Sequence, residues 1–256
     1  MRAVTLVDGE HAKGGRVAVD QDDSLFLGHG AFETLRTYGG VLFGLDAHLE
    51  RLMGSCAALG IRCPDDDDVV DDLYAAVESF DGDAMVRVII TGAGSRIVRG
   101  APIPSIPSPF RAATRVFVPP DWLDGSVKHV SRAFSRLAVE SAGVEEVLWT
   151  DEAGKLLEGT RSNIFGVRDG AMVTPPVDGR ILAGVTREAM IDAAFDAGVE
   201  VRISEMDSAA PYDELYVCST LKELTAITEL DGRPIPGAGP VGAAVLAAFR
   251  ASALSG

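Results

Sequence analysis

Along residues 1–45 apolar and polar positions alternate in three short runs, RAVTLVDGE, RVAVD and FETLRTYGGVLFGL. A period of two predicts half-buried strands. Within the last run, Tyr38-Gly39-Gly40-Val41 predicts a hairpin turn, because adjacent glycines supply the positive φ angles of a two-residue loop. From Leu45 to Leu59 the period lengthens: apolar residues at 45, 49, 52, 53 and 56 share one helical face, with Asp46 placed as its cap. A second helix is predicted after Pro64 in DDDDVVDDLYAAVESF, where Asp65–Asp68 suit the positive end of a helix dipole better than a separate acidic site. AMVRVIIT (84–91) predicts a strand rich in β-branched residues.

Prolines at 102, 104, 107, 109, 119 and 120 then interrupt the pattern, apart from a short strand TRVFV (114–118). This break predicts a domain connection at 111–125, between an N-terminal α+β domain (1–110) and a larger C-terminal domain (126–256). The second domain reads as a helix near 131–142, the strand VEEVLWT, a turn at 151–154 and the strand pair NIFGVRDGAMVTP, turning at Asp169-Gly170. Helices at 186–197 and 239–254 bracket the strands VEVRIS and ELYVCST. The fold class is α+β in two units.

With 256 residues, 47% hydrophobic and 24% charged, the chain has the composition of a soluble globular protein. Its net charge of −15 argues against a nucleic-acid or anionic-membrane partner, which would require clustered Lys and Arg. Cys56, Cys63 and Cys218 lack CxxC spacing, and His11, His29, His48 and His129 lack metal-ligand spacing. No apolar run approaches the ~20 residues of a membrane span, and the first residues, with Asp8 and Glu10, lack a signal-peptide core. A cytoplasmic enzyme without a metal is expected. Gly92-Ala93-Gly94 opens like a dinucleotide-binding loop, but Ile97 stands at the third glycine and no helix pattern follows.

Three blocks in order carry candidate chemistry: SVKHVSRAF (126–134), LLEGTRSNIF (156–165) and ILAGVTREAM (181–190). Lys128 is flanked by Val127 and by His129-Val130, a setting in which an amine sheds its charge more readily than on an open surface. Lysines are few, and Lys155 and Lys222 are the others near these blocks. Glu158 follows two leucines, a costly place for a carboxylate without a partner. Thr186 is placed as the N-cap of a helix whose free N–H groups suit an anion, with Ser219-Thr220 to close the other side and Arg51 to add charge. An amine, a carboxylate for a protonated ring nitrogen and a phosphate cradle are what pyridoxal phosphate requires.

These blocks, with GHGAFETLRTYGG (28–40), HLERL (48–52), DGAMVTPP and VCSTLKELTAI, resemble the class IV (fold type IV) pyridoxal-phosphate enzymes: branched-chain and D-amino acid aminotransferases and aminodeoxychorismate lyases. The resemblance covers nearly the whole chain. It implies a small N-terminal α+β domain, a larger α/β-barrel-like domain and a homodimer. It also implies Lys128 as the Schiff-base lysine, Glu158 on the pyridine nitrogen, and Arg51, Val185, Thr186 and Thr220 around the phosphate; Asn163 and Ser219 are expected beside them as cofactor-binding residues. Phe32, Thr34, Arg87, Arg96 and Arg161 are the expected substrate-side residues. Arg87 resembles the arginine of branched-chain enzymes, with Met85 in place of an aromatic. Arg96 resembles that of D-amino acid enzymes, with Val98 where they carry histidine; it is expected, with Arg99, on a mobile glycine-containing loop. Arg161 stands where relatives carry a small or neutral residue, and Thr34 resembles the lyases. The implied reaction is amino transfer between an amino acid and a 2-oxo acid, D-amino acids favoured, with pyruvate-releasing lyase or L-branched-chain transfer as alternatives.

Overall fold

The N-terminal alternation builds a six-stranded antiparallel sheet in the computed structural model, which describes residues 3–13, 23–117, 119, 122 and 124–255. Its strands are β1 (Val4–Val7), β2 (Glu10–His11), β3 (Gly30–Tyr38), β4 (Val41–Leu42), β5 (Ala84–Thr91) and β6 (Arg96–Pro102), ordered β2-β1-β6-β5-β3-β4. The run RVAVD lies outside the described residues. The hairpin forms as expected: Tyr38 pairs with Val41, and Gly39 and Gly40 both have positive φ. A short helix, α1 (Asp23–Phe26), precedes β3.

The two helices α2 (Leu45–Ala58) and α3 (Asp66–Val77) form where the period of 3.6 placed them. Their apolar stripes, including Leu52, Cys56, Val69 and Leu73, pack with Leu6, Leu35, Val86, Val88 and Val98 of the sheet. Asp65 caps α3 by accepting from the Asp67 N–H at 3.1 Å, and Asp66–Asp68 occupy its first turn, which accounts for the aspartate run. The cap of α2 differs from expectation: Gly44, left-handed at φ 61°, occupies it, and Asp46 sits inside the first turn.

The division between units falls elsewhere than at 111–125. One unit comprises Met1–Pro104 with Val127–Arg132, the other Ser105–Ser126 with Ala133–Ser255. Residues 110–116 are a full strand, β7 (Phe110–Val116), in the proline-free stretch between Pro109 and Pro119. Lys128, expected in the C-terminal domain, belongs to the first unit. The Phe32 N–H donates to the Lys128 carbonyl at 3.0 Å, and Ala31 bridges His129.

The second unit adds α4 (Ala133–Ala142), β8 (Glu146–Thr150), β9 (Lys155–Gly159), β10 (Asn163–Arg168), β11 (Ala171–Thr174), α5 (Val185–Asp196), β12 (Val201–Ile203), β13 (Met206–Asp207), β14 (Glu214–Ser219), β15 (Glu223–Leu230), β16 (Arg233–Pro234) and α6 (Pro240–Ser255). Its mixed sheet runs β12-β11-β10-β14-β15-β7-β8-β9-β13, with β16 on β15. Phe110, Leu148, Ile164, Leu215, Val217 and Ile227 supply a buried core. No helix among the described residues is long and apolar enough to cross a membrane.

Candidate functional site

The site residues fall into two groups, one in each unit. In the first unit β3 sorts them by face, since alternate residues of a strand point to opposite sides. Glu33 lies inward between Ala31 and Leu35, and is 1% exposed. A carboxylate there requires partners, and it has them. Arg51 of α2 donates Nε to Oε1 at 2.6 Å and Nη2 to Oε2 at 2.9 Å, while His48 Nδ1 meets Oε2 at 2.8 Å. Burial alone would raise the Glu33 pKa; the His48 hydrogen bond, the charge of Lys128 and the Arg51 fork outweigh it and hold it at about 2. Burial lowers His48, so its neutral ring donates through Nδ1 and leaves the buried Nε2 lone pair without a partner among the described residues. Arg51, expected as a source of positive charge, thus has its fork on Glu33.

On the opposite face of β3, Phe32 and Thr34 stand beside Arg87, the cross-strand partner of Thr34. Arg87 Nε donates to Thr34 Oγ1 at 3.0 Å, and its guanidinium lies 5.4 Å from the Phe32 ring centre. Lys128 Nζ lies 5.1 Å from the centre of that same ring. The Lys128 backbone is fixed too, its N–H donating to Ser55 Oγ at 3.0 Å. Arg99, on β6, is directly opposite Arg87 in the register and shares its face. Arg96 differs from expectation. It is part of a strand rather than a mobile loop, and its guanidinium is taken by Asp72 at 2.8 Å and Asp68 at 3.0 Å, only 14% exposed. Those ion pairs occupy the fork that a substrate carboxylate would need.

In the second unit, Glu158 is the penultimate residue of β9 and Asn163 opens β10 across a tight turn. The Leu182 N–H donates to Glu158 Oε2 at 3.0 Å, and Asn163 Nδ2 donates to the Leu182 carbonyl at 2.8 Å. These bonds hold residues 182–184 as they lead into α5. Gly184 is the N-cap, with no side-chain cap bond, so Thr186 is inside the first turn and not the cap expected for it. A Cβ at Gly184 would overlap Asn163 Oδ1, which explains the glycine sterically, its φ of −78° being ordinary. The first-turn N–H groups of Val185 and Thr186 point out of the helix end with the positive pole of its dipole. Ser219 and Thr220 form the turn after β14, and Arg161 is exposed in the β9–β10 turn. The donor set fits pyridoxal phosphate: an uncapped helix N-terminus with nearby hydroxyls for an anion, and a half-buried carboxylate for a ring nitrogen.

Two carboxylates near these groups, Glu33 and Glu146, were not singled out from the sequence. Glu146 is fully buried at the start of β8 and meets Lys222, also buried, in an ion pair. Glu33 and Glu146 carry one signal in common: each is a carboxylate in a strand made mostly of buried residues.

The amino-transferase class IV family model matches residues 30–230. The chain is 33% identical to a putative branched-chain-amino-acid aminotransferase of Methanocaldococcus jannaschii, over 84% of this chain and 83% of that protein. It is 28% identical to D-alanine aminotransferase of Bacillus licheniformis, over 92% and 91%. Among solved structures, a branched-chain aminotransferase from Thermoproteus uzoniensis with norvaline superposes at TM-score 0.88 with 26% identity, covering 98% of this chain and 95% of that one. A PLP-bound hypothetical aminotransferase from Mycobacterium tuberculosis has the same fold at TM-score 0.90, 23% identical over 98% and 99%. The chain belongs to the class IV aminotransferases, the pyridoxal-phosphate enzymes of fold type IV.

Proposed function

We propose that the enzyme exchanges the amino group of an amino acid with a 2-oxo acid, D-amino acids favoured, and that Lys128 is its catalytic residue. The observation that carries the reading is the pairing of Lys128 Nζ and the Arg87 guanidinium about the single ring of Phe32. A substrate held there by its α-carboxylate on Arg87 would present its α-carbon to the lysine. Bound pyridoxal phosphate supplies a carbonyl that takes an amine and a ring that withdraws electrons from the α-carbon. Lys128 would hold the cofactor through Nζ and, when released by substrate, move the α-proton at that same atom.

Glu158 would face the ring nitrogen and keep it protonated, its orientation set by the Leu182 N–H. Asn163 would hold that segment in place from the other side. The N–H groups of Val185 and Thr186, with the hydroxyls of Ser219 and Thr220, would hold the phosphate. Arg51 would add its charge at the phosphate, its guanidinium oriented by the fork on Glu33. Arg161 is the second candidate for the substrate carboxylate.

The stereochemical preference rests on the sheet face beside Phe32, which carries Met85, Arg87 and Arg99 rather than an aromatic cage for a branched side chain. The test is a panel of half-reactions: mix the holoenzyme with D- and L-alanine, D- and L-glutamate and branched amino acids, and follow the cofactor absorbance. D-substrates should convert fastest. Conversion by L-branched substrates alone would reverse the preference; conversion by none would favour the lyase, which Thr34 suggests. We infer a homodimer from the family resemblance and a cytoplasmic location from three cysteines that lack disulfide-scaffold spacing; sedimentation of the full chain at twice its monomer mass tests the assembly.

A further inference from the structure

Glu146 opens β8 and is fully buried, and Lys222 beside it is only 8% exposed. Neither belongs to the chemistry assigned above. Yet the Glu146 carboxylate gathers donors from two separate turns. From the β9–β10 turn, between Glu158 and Asn163, it accepts the Thr160 N–H at 3.0 Å, the Ser162 hydroxyl at 2.9 Å and the Thr160 hydroxyl. From the β14–β15 turn, which carries Ser219 and Thr220, it takes the Lys222 ammonium. The Lys222 N–H closes that turn on the Ser219 carbonyl at 3.1 Å, and the Thr225 hydroxyl donates to the Lys222 carbonyl at 2.8 Å. The space between the turns is close-packed: a Cβ on Gly159 would overlap Ser162 Oγ and come within 3.2 Å of Glu146 Cδ.

A buried ion pair is seldom worth more to stability than apolar residues of the same volume, because both charges lose their hydration. What it adds is direction, since an ammonium meets a carboxylate at one distance and angle whereas methyl groups slide. Burial would raise the Glu146 pKa, but Lys222, Thr160 and Ser162 outweigh it and keep the carboxylate ionised. Burial draws Lys222 down, opposed by that same carboxylate.

We propose that Lys222 is a positioning residue: through Glu146 it fastens the Ser219-Thr220 turn to the turn that follows Glu158, setting the distance between the phosphate end and the ring end of the cofactor site. The inference rests on the assignment of those two ends above. The Glu158 end has its own anchor at Leu182, so releasing Lys222 frees the phosphate end alone.

The test uses full-length apo-protein titrated with pyridoxal phosphate and, separately, with pyridoxal, which lacks the phosphate. Lys222→Met strands a buried carboxylate and risks misfolding, so the pair-neutral double variant Lys222→Met/Glu146→Gln is measured alongside it. In the folded variants affinity for pyridoxal phosphate should fall about tenfold, while that for pyridoxal should stay within about twofold. Unchanged affinity for pyridoxal phosphate in the double variant would overturn the proposal, as would an equal fall for both ligands, which marks a general structural defect. A parent protein that takes up pyridoxal phosphate with no preference over pyridoxal would instead remove the phosphate-site assignment itself.

Discussion

Arg87 and Arg96 lie on adjacent strands of one sheet, and their neighbours give them different tasks. Arg96 is enclosed by Asp68 and Asp72, so its charge is spent within the fold. Arg87 has a hydroxyl and an aromatic ring beside it, and Arg99 opposite. Like charges across a strand pair repel, and a bound carboxylate would offset that cost. Arg87→Ala is therefore expected to lower kcat/KM for amino acids roughly a hundredfold, from about 1.5–3 kcal/mol for each hydrogen bond to a charged group. An amine without the carboxylate should react at nearly the parental rate. Arg96→Ala should leave that ratio untouched and lower stability by about 1–2 kcal/mol, read from chemical denaturation. Lys128→Ala is expected to abolish turnover, and borohydride reduction of the parent should label Lys128. Label on Lys222 would show that the buried amine, and not the half-buried Lys128, is the one that bonds.

At the scale of elements, the helix entrance at Gly184 is where local and tertiary demands meet. Its φ suits any residue, so sequence propensity would accept alanine there. The space does not, because Asn163 fills it. Gly184→Ala should displace Asn163, release Leu182, cost about 1–3 kcal/mol and weaken cofactor uptake in a titration of the apo-protein. Gly54 offers the contrast, lying inside α2 with open space about its Cα. Gly54→Ala should raise stability by about 0.5–1 kcal/mol and leave cofactor affinity alone. α2, α3 and β5 were legible because their periodicity is long and unbroken. β6 was not: it follows Gly92-Ala93-Gly94 and carries two arginines, so it reads as loop until β1 and β5 flank it and satisfy its backbone. The proline break misled in the other direction, since the stretch between Pro109 and Pro119 has no proline and β7 fills most of it.

For the whole molecule the buried acids set the response to pH. Glu33 has a folded pKa of about 2 against 4.5 in its unreacted setting, so its contribution is complete above pH 4.5 and is lost as pH falls toward 2. A shift of that size corresponds to about 3 kcal/mol by linkage. Glu146, also depressed, acts in the same direction, and His48, lowered by burial, adds a loss that begins below pH 6.5. The melting temperature should therefore fall steeply between pH 5 and pH 2–3 (about the window of these shifts). Glu33→Gln should flatten that fall; an unchanged slope in the variant would assign the acid sensitivity to other groups.

The α+β class, the hairpin, the long helices and the order of the chemical blocks were legible in the chain, because periodicity and turn residues act over a few positions. The chain also set the residue types a pyridoxal-phosphate site needs, in the order the family shares. What each charge faces was settled by the packing of the strands and helices. The same residue type is bound by aspartates at Arg96, by Glu33 at Arg51 and stands on an open sheet face at Arg87, and no local pattern separates the three. It likewise decided that Lys128 belongs with β3 and that Lys222 meets Glu146, since hydrogen bonds and ion pairs between residues distant in the chain exist only once strands have chosen their neighbours.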